Sequence, residues 1–249
     1  MRVLRSEWLK LVSVRTTWCL LGAMVLIEGL AVGLSTGLGD LETLRKGNVS
    51  TFVIGTHLAT VFMFTLGALL STNEFRHGTA NSTFVVTPKR ERVILAKLAV
   101  GLAVGLVGAL LYIAVHAGIG LSILSSRGVD VDSDLAVDGY VGVGIGLVLG
   151  CLFGVALGAL LRNQVLTIIV GLVLFLLAGT VALFIGTDVG RFFPGEALLA
   201  LQNTPGVDLL SQTDGGLVLA GYCVLLGICL LYTSPSPRDV EESRMPSSA

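Results

Sequence analysis

Two kinds of position in this chain carry groups that could do chemistry in a strongly apolar setting. Glu28 stands near the middle of the run Thr17 to Leu38, and His116 stands inside the run Leu98 to Leu124. A carboxyl group at such a depth costs about 2.5 to 3.5 kcal/mol to insert, so it is by default a functional candidate. It is protonated, turned to a cavity or paired with His116, which fits a substrate pathway, a gate or a packing role, or it lies at the interface if the span is shifted outward. The second kind is a polar, basic stretch from Ser71 to Lys97, STNEFRHGTANSTFVVTPKRERVILAK, set between two apolar runs. Glu74, Arg76 and His77 there come within about one helical turn of the end of the second run, with Phe75 as an apolar neighbour, and can meet something other than lipid. His57, near the other end of that run, reads as interfacial rather than as a ligand.

The elements that must position these residues are membrane spans. A mean hydropathy of +0.88, with 53% hydrophobic and 13% charged residues, lies outside the range of a soluble domain. The expected fold is all-α and polytopic. Six apolar runs are marked: Thr17 to Leu38, Phe52 to Leu70, Leu98 to Leu124, Val141 to Leu161, Val165 to Ile185 and Leu217 to Leu231. Each is near the roughly 20 residues that cross a bilayer as a helix. The preamble EWLKLVSVRTTW puts Trp8, Leu9 and Val12 on one face, with Glu7, Lys10 and Ser13 elsewhere, and predicts an interfacial helix leading into the first span. A cleavable signal peptide is not expected, since no convincing small-residue cleavage site follows the first run.

Cation placement sets the expected orientation. Arg2, Arg5, Lys10, Arg15, Arg76, Lys89, Arg90, Arg92, Lys97 and Arg162 fall on one side; Arg45, Lys46, Arg127 and Arg191 fall on the other, with Asp130, Asp132, Asp134 and Asp138. The positive-inside rule then makes both termini cytoplasmic. The net charge of −1 hides this asymmetry. Thr87 and Pro88 read as the cap and first residue of the third long helix. Lys89, Arg90 and Arg92 would sit at that helix's positive dipole end, where they do not stabilise it. Lipid headgroups or an acidic partner surface explain them better, with topogenesis as the plain alternative.

Other features narrow the chemistry. Gly101 with Gly105, and Gly142, Gly146 and Gly150, recur at four-residue spacing, which suits close helix packing. No GxxxxGK[ST] loop is present, which excludes nucleotide hydrolysis by that route. Cys19, Cys151, Cys223 and Cys229 have no metal-ligand spacing and read as small buried hydrophobes. Between the fifth and sixth runs, RFFPGEALLALQ predicts a short apolar helix lying in the interface or dipping into the bilayer, where irregular backbone must be covered by protein.

EWLKLVSVRTTW before the first span, NEFRHGT after the second and TPKRERVILAK leading into the third together resemble the membrane permeases of ABC transporters of the type-2 exporter class. The resemblance is strongest to the small six-span subunits common in high-GC Gram-positive bacteria, and it covers residues 1 to 228 as one transmembrane permease domain. It implies that the first amphipathic helix (Glu7, Trp8, Lys10) and the loop after the second span contact an ATPase subunit. Residue by residue, Glu74, Arg76 and Thr79 match the coupling-loop pattern, Pro88 and Arg90 match the start of the third helix, and Phe75 stands where a tyrosine is common. It also implies a bacterial plasma-membrane location, a second permease subunit alike or different, and surrounding lipid. No catalytic residue, cofactor, metal or nucleic acid is expected on this chain; ATP and Mg would belong to the partner. Residues 229 to 249, CLLYTSPSPRDVEESRMPSSA, resemble translated sequencing adapter in place of the true C-terminus; a Ser/Pro-rich disordered tail is the other reading. Two rival functions stand beside the exporter: a proton-coupled secondary transporter using Glu28 and His116, against which the lack of a detectable internal repeat counts, and a non-transporting membrane scaffold.

Overall fold

The computed structural model describes residues 2–40, 44, 56–76, 90–129, 133–177, 179–180, 186–202 and 209–233. Among these residues every regular element is helical. In chain order they are α1 Arg2–Ser13, α2 Arg15–Leu38, α3 Thr56–Arg76, α4 Arg90–Ser126, α5 Ser133–Leu161, α6 Gln164–Leu176, α7 Thr187–Gly190, α8 Pro194–Leu201 and α9 Gln212–Thr233. Five of them, α2, α3, α4, α5 and α9, are long and apolar enough to cross a membrane. The fifth predicted span is seen only as α6. Its 13 residues reach about 20 Å at 1.5 Å per residue, short of the roughly 30 Å hydrocarbon core. The remainder of that predicted run includes 178 and 181–185, which lie outside the described residues. The adapter-like segment begins inside α9, which runs on to Thr233; residues 234–249 are outside the description.

The break between α1 and α2 is written in the residues VSVRTTW. Val14 is extended (φ −87°, ψ 120°), which suits a β-branched side chain. Beyond it, the Thr17 hydroxyl donates to the Leu11 carbonyl at 3.0 Å, and the Trp18 indole N–H donates to that of Val12 at 2.9 Å. These bonds satisfy carbonyls that α1 leaves open at its end. Trp8 and Leu9 on α1 stay exposed while Glu7 is buried and Leu11 packs against the core, so the packed side of this helix carries one acid beside an apolar residue.

At the centre of the bundle α3 and α5 pack closely. A Cβ on Gly67 would collide with the Cys151 carbonyl, and one on Gly154 with that of Phe64. The four-residue glycine series read on α5 therefore does serve helix packing, and it runs further than Gly150. Gly142 abuts the Leu201 carbonyl, Gly146 the Leu198 side chain, Gly150 Thr60, and Gly158 the Ala68 carbonyl. Without a hydrophobic drive between helices in lipid, such backbone proximity and dispersion contacts hold the bundle. On one flank Leu21 and Met24 of α2 join Met63, Val104, Tyr112 and Leu147; on the other Phe64, Phe153 and Phe175 form a ring triad with centroids 5.6 to 6.1 Å apart.

α8 starts with Pro194 at its first turn, where the missing N–H is harmless. Its side chains from Pro194 to Leu198 are buried, against α5, α6 and α9, so the short helix read in RFFPGEALLALQ is covered by protein. Cys151 is buried and Cys223 partly so, but Cys19 is exposed on the outward face of α2, beside Trp18. That outward position corrects the reading of all four thiols as buried.

Candidate functional site

Glu7 and Lys10 of α1 and Glu74 of α3 meet at one place, together with Lys97, which the cation pattern placed only on the basic side. Glu7 lies on α1, Glu74 two residues before the end of α3, and Lys97 two turns into α4. The Lys10 ammonium donates to Glu7 Oε1 at 2.7 Å and to Glu74 Oε1 at 2.6 Å. Lys97 Nζ lies 2.7 Å from Glu7 Oε2 and 3.1 Å from Glu74 Oε2, and also donates to the Leu70 carbonyl at 3.1 Å. Two carboxylates and two ammonium groups thus alternate around a closed, formally neutral ring that ties α1 to the end of α3 and the beginning of α4.

Three corners of the ring are buried: side-chain exposure is 2% for Glu7, 8% for Glu74 and 8% for Lys97, against 46% for Lys10. Burial alone would push the Glu7 carboxyl upward, but Lys97 and Lys10 override it and hold it below its ordinary 4.5. For Lys10 burial pulls the other way; its hydrogen bonds to Glu7 and Glu74 reverse that pull and hold the ammonium above its ordinary 10.5. Each partner therefore keeps the other ionised. Breaking such a buried arrangement at one corner leaves an uncompensated charge, which is why it fixes geometry more than it adds net stability.

The residues around the ring diverge. Arg76 is exposed, and its guanidinium donates to the Gln164 amide oxygen at 3.2 Å, linking α3 to the first residue of α6. Phe75 is half-buried, Trp8 exposed. Arg90 opens α4. His77, Thr79, Thr87, Pro88 and Lys89 lie outside the described residues. At the α5–α6 turn, Arg162 takes the left-handed backbone (φ 54°) and Asn163 caps α6, its side chain accepting from the Leu166 N–H at 3.1 Å.

A second polar group lies further along the bundle. Glu28 of α2 and His116 of α4 are brought together, with His116 Nε2 3.9 Å from Glu28 Oε1. The other imidazole nitrogen, Nδ1, is 3.2 Å from the Tyr140 hydroxyl of α5, and the ring stacks on Tyr112 at 5.7 Å. The Tyr112 hydroxyl faces both Glu28 and Thr56, yet neither carboxyl oxygen of Glu28 has a described partner within hydrogen-bond geometry. At 3.9 Å acid and imidazole stand too far apart to share a proton directly, so a transfer between them needs a closer approach or a bridging group.

The family model for ABC-2 family transporter proteins matches residues 3–178, and the chain belongs to that family. It is thereby a multi-pass membrane component of an ABC transporter, which implies association with an ABC ATPase subunit. The match takes in all four residues of the ring, together with Glu28 and His116. No curated protein and no solved structure matches the chain.

Proposed function

We propose that this chain is the permease subunit of an ATP-driven exporter, forming the translocation pathway and taking its energy as displacement from a separate ATPase. The observation that carries the reading is the ring of Glu7, Lys10, Glu74 and Lys97. It gathers the amphipathic helix, the end of α3 and the start of α4 at the point from which residues 77–89 depart. A push delivered to that segment would pass through the ring to α1 and on to α2. Such a lever needs no catalytic residue and no cofactor on this chain; ATP and Mg stay on the partner.

Further parts of the reading follow from the cation asymmetry and the resemblance. The α1 end faces the cytoplasm of a bacterial cell, both termini lie inside, α6 and the residues after it make up a further crossing, and two permeases, alike or different, enclose the pathway in lipid. The segment from 229 is adapter-derived, and the natural sequence continues differently from about Ile228.

The test uses a version with its true C-terminus, coexpressed with its ATPase. Replacing Glu74 and Arg76 together by glutamine should leave membrane insertion intact and abolish the coupling of ATP turnover to transport. Persistence of both at wild-type rates in that variant would falsify the coupling role. The approach of His116 to Glu28 favours a second reading, proton-driven transport, which predicts export that collapses with a protonophore and survives without the ATPase.

A further inference from the structure

A cleft of about 810 Å³ opens beside the ring, between α1 and α2 on one side and α3 and α6 on the other. Its lining is of two kinds. Leu20, Leu66 and Ile168 are apolar and buried or half-buried, whereas Lys10 and Arg76 are exposed and Gln164 beside them is half-buried. That division matches an amphiphile: a chain-like body against the apolar residues and a polar head at the exposed rim.

Charge decides which head. The acids lining the cleft are Glu7 and Glu74, and both are already engaged by Lys10 and Lys97, so the ring contributes no net charge. Arg76 is exposed and donates to a neutral amide. Its positive charge is thus unbalanced among the described residues. The exposed Arg15 and Arg162 flank the lining residues Thr16 and Gln164 in sequence and add to the same field. A zwitterionic head would gain little from this rim, whereas an anionic one is drawn to it by about 1 kcal/mol per nearby cation.

We infer that the cleft is a binding site for one anionic phospholipid of the cytoplasmic leaflet, with its phosphate head on Arg76 and the exposed edge of Lys10 and an acyl chain along Leu20, Leu66 and Ile168. The leaflet rests on the orientation proposed above; the site itself rests on geometry and charge. Because Lys10 also closes the ion-pair ring, the bound head and the α1–α3 joint share one ammonium group.

Native mass spectrometry of the full chain in detergent, titrated with phosphatidylglycerol or phosphatidylcholine of matched chains, tests the inference without ATP or membrane sidedness, so its failure leaves the permease reading standing. The expected result is one retained phosphatidylglycerol, bound at least tenfold more tightly than phosphatidylcholine. Arg76→Gln should bring the two lipids within about twofold of each other, and Thr65→Phe, which fills the wall from the half-exposed Thr65, should remove the tight site while size-exclusion behaviour stays wild-type. Equal binding of both lipids, a preference that survives Arg76→Gln, or a dimer that retains no lipid and crosslinks through a cysteine introduced at Leu20 would each overturn it; the last would assign the cleft to a second copy. Should Arg76→Gln fail to fold, the Thr65→Phe arm decides alone.

Discussion

Lys97 shows how a single residue can be visible in a sequence while its partners are not. It was legible as a cation on the basic side; its apolar flanks in VILAKLAV are the further signal that could have pointed to a carboxylate. Among the residues on the basic side, Glu7 and Glu74 are two of the few acids available, and the structure uses both. Removing this buried corner by Lys97→Met leaves the two carboxylates facing each other and should destabilise the fold by about 3 to 5 kcal/mol. Lys10→Met, at a half-exposed corner screened by solvent, should cost about 1 kcal/mol. Thermal unfolding of the two variants in one detergent gives the ranking; equal losses would mean the ring is not the joint described. The ring also sets a pH window. Glu7 is held below 4.5 when folded, so its contribution is present above that value and lost as pH falls through the folded value. Lys10 is held above 10.5, so its contribution is complete below that value and lost as pH rises past it. Docking of α1, followed by the fluorescence of Trp8 and Trp18, should therefore be flat from about pH 5 to 10 and change at both limits.

For the helices, apolar run length and small-residue spacing gave the existence of α2 to α5 and α9, and the role of glycine on α5. They could not reveal that Gly67 of α3 is the facing half of the same contact, because one glycine has no period. They gave an amphipathic helix leading into the first span but not the break at Val14, since the Thr17 and Trp18 bonds depend on how the chain turns back on itself. The predicted span at Val165 to Ile185 is met by the described residues only in part: an apolar run fixes composition, not how far one helix continues, and α6 runs from Gln164 to Leu176. At the α3–α5 crossing, Gly154→Leu should lower stability on the order of 3 kcal/mol by forcing backbones apart. Gly22→Ala, with nothing within 4 Å of its added Cβ, should be neutral or slightly stabilising. The folded fraction recovered from membranes checks both, and a tolerated Gly154→Leu would show that the helices are not in backbone contact.

Across the whole molecule, sidedness is the property on which most else depends. A cysteine in place of Arg5, in a background without the four native thiols, should react with an impermeant maleimide only after the cells are opened, whereas one at Ser126 should react in intact cells. The reverse pattern would invert the orientation. Reading sidedness from cations rests on totals and leaves Arg127 as an exception on the cation-poor side. In the structure that arginine serves the fold instead. Its Nη1 donates to the Thr36 carbonyl at 2.7 Å and to that of Gly39 at 2.8 Å, closing the end of α2. Since 88 residues separate Gly39 from Arg127, the first span emerges during synthesis with its far end unfinished. It acquires its last hydrogen bonds only when the third has crossed, so the two are obliged to complete their assembly together.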